Sequence, residues 1–171
     1  MSSSPFIVEW IERIAGDGAA PRRALDVAMG RGRHAVLLAR AGFVTFGVDL
    51  AFDAVRDAMT AAHAGGAPLN GWCADLTQHP LPSSRFDLVI VSRYLERDLF
   101  AALRAACTAG GVVLYETFTT AQRALGTGPK SPDHLLEPGE LLRRFDGFEV
   151  LFYEEVSAPE ALARIAAKRR T

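Results

Sequence analysis

Lysine is almost missing from this chain. Only Lys130 and Lys168 occur, so arginine supplies nearly all of the 19 basic side chains, against 20 acidic ones and a formal net charge of −1. This balance leaves no electrostatic footprint for nucleic acid or an anionic membrane, and the short clusters Arg22-Arg23 and Lys168-Arg169-Arg170 read as solvated surface. Cysteine is equally scarce. Cys73 and Cys107 have no second Cys or His at zinc-ligand spacing, which removes a structural metal and a disulfide framework and fits a reducing cytosol. Long apolar runs are lacking too. None approaches the ~20 residues of a membrane span, and the opening "MSSSPFIVEWIERIAG" has neither a basic start nor a long apolar centre. A soluble, cytoplasmic protein is expected. What the chain does have is apolar mass: 49% hydrophobic residues in a length of 171, enough for one substantial core and too little for a second folded domain.

Strand and helix signals alternate along the chain, the pattern of a parallel α/β sheet. Phe6, Val8, Trp10, Ile11 and Ile14 make an amphipathic first helix that stops at Gly16 or Gly18. "RALDVA" reads as a strand, "RHAVLLARAG" as a helix closed by Gly42, "FVTFGVD" as a strand and "AFDAVRDAMTAAHAGG" as a helix. A short strand around "NGWCA" is followed by the proline-punctuated loop "DLTQHPLPSS". "FDLVIVS" and "GVVLYETF" are nearly continuous apolar runs, as expected of central strands covered on both faces, with the helix "RDLFAALRAACTAGG" between them. From Thr119 to Pro138, glycine and proline recur without a period, which predicts a long loop of the kind that carries function. "EPGELLRRFDG" is a last short helix, and "FEVLFYEEV" with "ALARIAAKR" is expected to close the fold as an antiparallel hairpin.

The chemistry sits in "ALDVAMGRGRHAVLLARAGFVTFGVDLA", residues 24–51. Gly30, Gly32 and Ala35 satisfy G-x-G-x-x-A, and Asp49 follows at the distance of a ribose-binding carboxylate. That pattern alone serves either a dinucleotide or S-adenosylmethionine. Asp26 separates the two, because its negative charge harms a site that must offer N–H groups to a pyrophosphate but helps one that receives a cationic amino-acid end and a sulfonium. In "WCADL", residues 72–76, Asp75 is placed to accept from the exocyclic amine of an adenine lying beside Cys73 and Leu76.

Together, "LDVAMGRGRHA", Asp49, the "ADL" after the third strand, "FDLVIVS" and "AGGVVLYETF" resemble the class I S-adenosylmethionine-dependent methyltransferases over residues 22–155. "RGRH", "YETF", "LLEPGELLRRF" and "VLFYEEV" look most like small bacterial members similar to tellurite-resistance methyltransferases. The resemblance implies an α/β, three-layer Rossmann-like fold with a mostly parallel seven-stranded sheet in the order 3-2-1-4-5-7-6, strand seven antiparallel. It implies a single domain over 1–171, with a helix in 1–18 covering the site, a core over 22–155 and a closing strand over 156–171. It further implies that Asp49, with Leu50 beside it, binds the ribose, and that Asp75 and Leu76 flank the adenine. Asp26, Ala28, Gly30, Gly32 and Ser92 then surround the methionine portion. One position departs from the family's D-x-G-x-G: Ala28 stands where its first glycine belongs, which requires a negative φ at Ala28 and leaves the demanding conformation to Gly30. A non-catalytic binding module and an NAD(P)-dependent oxidoreductase stay open as alternatives.

Methyl transfer from a sulfonium is a direct displacement, so the protein mainly positions the acceptor and excludes water. The acceptor region is expected around "SRYLERD", residues 92–98, and the 118–137 loop, outside the carboxyl ends of the strands. Arg93 is a candidate to bind an anionic substrate unless it pairs with Glu96 or Asp98, and Tyr94 to orient the acceptor. Glu116 and His134 are candidate proton acceptors. Glu116 closes an apolar strand, so it must be partnered or have a raised pKa. His34 is expected to face the cofactor turn, Cys107 to be a core residue on a helix, and Phe6 and Trp10 to serve as a lid or as core. No metal is expected. The acceptor is expected to be a small molecule and the protein a monomer or homodimer.

Overall fold

The computed structural model describes residues 2–16 and 22–171; Gly18, one of the two expected helix stops, lies outside them. Helix α1 spans Pro5–Ala15, with the Ser4 hydroxyl accepting from the Ile7 N–H at 3.4 Å and Pro5 in the first turn, where its missing N–H costs nothing. Then come β1 (Arg23–Val27), α2 (Arg33–Arg40), β2 (Val44–Asp49), α3 (Phe52–Ala64), β3 (Leu69–Cys73), β4 (Phe86–Ser92), α4 (Phe100–Ala106), β5 (Cys107–Phe118), α5 (Glu140–Arg144), β6 (Glu149–Val156) and β7 (Leu162–Lys168). One seven-stranded sheet results, in the order β3-β2-β1-β4-β5-β7-β6. β1 to β5 are mutually parallel and β7 runs antiparallel to both its neighbours.

Each face of the sheet carries its own core. On one side α1 and α2 set Phe6, Ile7, Ile11 and Leu38 against Ala24, Leu88, Ile90 and Leu114, with α3 beside them through Val55, Ala58 and Ala62. On the other, α4 and α5, with Phe145 just past the end of α5, set Phe100, Leu103, Leu141 and Phe145 against Val89, Val91, Val113, Tyr115 and Ile165. Phe6 and Trp10 both pack on Phe152, so the first helix contributes core; its contact with the site comes from Ser2 and Ser4 ahead of it. The β3–β4 crossover, residues 74–85, contains no helix, and the β2–β3 end of the second face is left to Leu76, Leu81 and Pro82.

Two boundaries depart from the sequence reading. The helix expected over 97–111 is a 3-10 turn at Arg97–Leu99 followed by α4, and it ends at Ala106. Cys107 therefore belongs to β5, paired with Phe86, although it is buried as expected and its thiol is pushed up to about 12 by that burial. Gly110 and Gly111 do not end the helix; the Gly110 N–H donates to Arg169 O and the Arg169 N–H donates to Gly111 O, drawing the bulged start of β5 into the sheet. The 119–138 loop contains 3-10 turns at Thr120–Leu125 and Pro132–His134 and pairs back through Thr119 and Leu136.

Candidate active site

Residues 28–32 turn the chain from the carboxyl end of β1 into α2. The Gly30 N–H donates to Asp49 Oδ2 at 2.8 Å and the Ala51 N–H to Asp49 Oδ1 at 2.9 Å, so the carboxylate at the end of β2 is clamped between two backbone turns. A carboxylate offers about four acceptor sites, and two remain. Gly30 has φ +55 with open space where a Cβ would stand; its backbone conformation, not crowding, calls for glycine. Gly32 adds a steric demand, since a Cβ there would lie 2.7 Å from that of Ala58, where α2 meets α3. Ala28 overturns the expectation of a negative φ: it sits at φ +53, in the left-handed region that costs an L-residue ~1–2 kcal/mol. Arg93 shares that strain at φ +56, immediately after Ser92 on the opposite wall. Strained residues of this kind gather at functional sites.

Between these walls lies a cavity of about 300 Å³ lined by Asp26, Ala28, Met29, Gly30, Arg31, Arg33, His34 and Ser92. Asp26 is 2% exposed, accepts from the Ala35 N–H at 2.9 Å, and is pushed up to about 7 by its burial. Arg33 donates to two neutral oxygens, Ser92 Oγ at 3.2 Å and Ser2 O at 3.1 Å, while burial and the neighbouring Arg93 charge lower its pKa. Buried His34 faces the turn as expected. Its Nε2 accepts from the Ser4 N–H at 3.1 Å, and burial together with Arg33 and Arg93 brings its pKa down to about 4, so it is neutral. Beyond Asp49, Leu50 is 69% exposed and its carbonyl accepts from the Cys73 thiol at 3.0 Å, while the Ala74 N–H donates to Asp49 O. Asp75 accepts from the hydroxyl and N–H of Thr77, at 2.7 and 2.9 Å, which hold it below the usual carboxylate range; Leu76 packs on the core beneath. Asp49, Leu50, Asp75 and Leu76 thus form one contiguous ledge.

The other side is built from ion pairs. Arg93 pairs with neither Glu96 nor Asp98 but in bidentate fashion with Glu160, at 2.9 and 2.5 Å, and lies 5.0 Å over the Phe118 ring. Glu116 is partnered: 1% exposed, it accepts from Arg164 Nε at 2.5 Å, and Arg164 also reaches Glu154. Tyr94 is half-buried, and burial, then the charges of Glu96, Asp75 and Asp49, raise its pKa, so its hydroxyl keeps its proton. His134 is exposed on a turn whose Pro132 carbonyl accepts from Arg97, beside a separate surface cavity lined by Arg97, Asp133 and Glu140. The structure does not bring it to Asp26 and Ser92. Burial works to raise the pKa of Glu140, but Arg97, the Glu137 N–H and Arg144 hold it at about 2.

The sequence matches a family described as a methyltransferase domain over residues 24–111, more than half of its length. The chain belongs to that family. A comparison with curated proteins finds no match. Among solved structures, an S-adenosylmethionine-dependent methyltransferase from Mesorhizobium loti is 20% identical with a TM-score of 0.73, covering 95% of this chain and 98% of its own. TehB from Haemophilus influenzae is 15% identical with a TM-score of 0.77, covering 95% of this chain and 61% of its own. Magnesium protoporphyrin IX methyltransferase from Synechocystis is 17% identical with a TM-score of 0.74, covering 95% and 81%. At these identities the likeness is one of fold.

As a class I methyltransferase the protein uses S-adenosylmethionine, and the residues present suit it. Asp49 keeps free acceptor sites for two hydroxyls, the ledge at Leu50 and Leu76 is apolar, and buried Asp26 accommodates a cationic end. The dinucleotide alternative fails on the same ground: Asp26 accepts from a first-turn N–H of α2, where a pyrophosphate would need free donors. The sequence reading passed over three contributors to this methyltransferase. Arg33 stands inside "RGRH" but was given no role, while Glu160 and Gln122 come from distant segments. Gln122 is buried and accepts from the Ala161 N–H at 2.7 Å, tying the 119–138 loop to the β6–β7 turn.

Proposed function

We propose that the protein transfers the methyl group of S-adenosylmethionine to a small-molecule acceptor by direct in-line displacement. The observation that carries this reading is the clamped Asp49 carboxylate beside a cavity containing Arg33, a guanidinium that among the described residues donates to neutral oxygens. Asp49 holds the ribose hydroxyls, Leu50, Asp75 and Leu76 receive the adenine, and Arg33 takes the cofactor's carboxylate while Asp26 faces its ammonium end. The bound cofactor supplies an already activated methyl electrophile. What remains for this chain is to place a nucleophile and keep water away.

Arg93, Tyr94 and the 119–138 loop form the acceptor wall in this reading, with Tyr94 orienting the acceptor through a neutral hydroxyl. Glu116 serves differently from the expectation of a proton acceptor: locked to Arg164, it positions the wall, and exposed His134 is given no proton-accepting role in this reading. The acceptor then arrives ionised or releases its proton to water. The lack of net positive charge favours a small molecule over nucleic acid.

Calorimetric titration tests the cofactor, and a methyl-transfer screen of small acceptors tests the rest. Saturable binding of S-adenosylhomocysteine and none of NAD is expected. The reverse result overturns the reading. Tyr94→Phe should leave cofactor binding within about twofold and reduce turnover at least ~10-fold on the acceptor found.

A further inference from the structure

The helix-free crossover from β3 to β4 leaves a second cavity, of about 410 Å³, lined by Arg23, Phe46, Trp72, Pro82, Arg85 and Phe86. It shares no residue with the cavity at Asp26 and Ser92. Both faces of a parallel sheet are normally covered, and the other crossovers among β1 to β5 each carry a helix. Among the described residues no helix covers this end of the sheet, and three aromatic rings share one hollow. Phe46 and Phe86 meet edge to face at 5.6 Å, Phe86 buried and Phe46 and Trp72 half-buried.

Two exposed arginines flank these rings. Among the described residues neither Arg23 nor Arg85 forms an ion pair, so both guanidinium groups are open to an anion at the rim of the hollow. Asp87, the adjacent carboxylate, is engaged by the Arg23 N–H at 2.9 Å and the Thr108 hydroxyl at 3.0 Å. Just before Arg85, the backbone passes through a left-handed Ser84 at φ +51, fixed by its N–H on Ala105 O at 2.7 Å. The hollow thus combines preformed aromatic walls with unspent positive charge, at the volume of a small-molecule site.

We propose that this cavity binds a small planar aromatic carboxylate, its ring against Trp72 and Phe46 and its carboxylate on Arg23 and Arg85. Guanidinium groups match carboxylates in two-point geometry, and a ring fills a slot that water wets poorly. The site is independent of the cofactor reading.

The chain has two tryptophans, Trp10 and Trp72, so their indole N–H resonances report the two faces separately, with Trp10→Phe assigning them. Titration of the full chain with 2-naphthoate should shift the Trp72 signal saturably and leave Trp10 unmoved. Binding should weaken at least ~10-fold for neutral 2-naphthamide and in Arg85→Gln or Arg23→Gln, the scale of a lost charge-assisted contact. Acetate should not bind. The proposal is overturned by an unmoved Trp72 signal, by equal binding of the amide, or by insensitivity to both arginine substitutions. It is also overturned if S-adenosylhomocysteine displaces the ligand, or if the Trp72 signal shifts with protein concentration alone, which assigns the face to a second copy of the chain.

Discussion

The two halves of the site are held by different kinds of bond. On the cofactor side the decisive contacts are backbone N–H groups on carboxylates close in sequence, Ala35 on Asp26 nine residues away and Gly30 on Asp49 nineteen away. On the proposed acceptor side they are arginine–carboxylate pairs between remote segments: Arg93 with Glu160 across 67 residues and Arg164 with Glu116 across 48. The two contacts of the cofactor side lie within the single unit β1-α2-β2. The second set exists only once β4, β5, β6, β7 and the segments between them have assembled.

The sharpest way to break this contrast is to remove one partner of the buried pair. Arg164→Met strands Glu116 at 1% exposure and should cost about 3–5 kcal/mol of stability in urea denaturation, with the double variant Arg164→Met/Glu116→Gln recovering most of it. S-adenosylhomocysteine affinity of the folded fraction should barely move, because the cofactor half does not depend on the pair.

The cofactor half should reveal itself through pH. Asp26 has a folded pKa of about 7, raised by burial above its ordinary value near 3.8, so its contribution to stability is full below that ordinary value and lost as pH rises through about 7. His34 acts oppositely: its folded value of about 4 is depressed, so its contribution is present above its ordinary 6.5 and lost as pH falls through about 4. The two slopes offset one another between pH 4 and 6.5. Removing Asp26's titration with Asp26→Asn should expose this, the wild type losing at most ~4 kcal/mol relative to the variant between pH 4 and 8 by thermal melting.

Smaller effects sharpen the comparison. Asp49→Ala should weaken S-adenosylhomocysteine binding by ~1.5–3 kcal/mol in calorimetry, the scale of hydrogen bonds to a charged group. Ala28→Gly should raise stability by ~0.5–1 kcal/mol in denaturant melts, the relief of left-handed strain less the added freedom of the unfolded chain.

Much of the fold was legible because it is written in local period and punctuation. The alternation of strand and helix from Arg23 to Ser92 and the closing hairpin of β6 and β7 appear where the pattern predicts them. The start of β5 was not legible, since "CTAGG" resembles a helix stop until Arg169 is found bonded to both glycines. Within the site, Asp26, Ala28, Gly30 and Ser92 line one cavity, but Arg33 went unassigned because an arginine at the start of a helix carries no signal of what it will face.

By itself, then, the sequence determined the βαβ frame, the carboxylate at the end of β2 and the glycine-bearing turn, because hydrophobic period and φ preference act within a few residues. Only the tertiary structure decided the sign of φ at Ala28, since the clamp from Gly30 to Asp49 fixes the turn whatever residue precedes it. It also decided that Glu116 would be paired with Arg164 and that His134 would stand exposed on a turn of the 119–138 loop. Charge partners 40 to 70 residues apart are chosen by strand order and packing, and no local pattern in the chain encodes that choice.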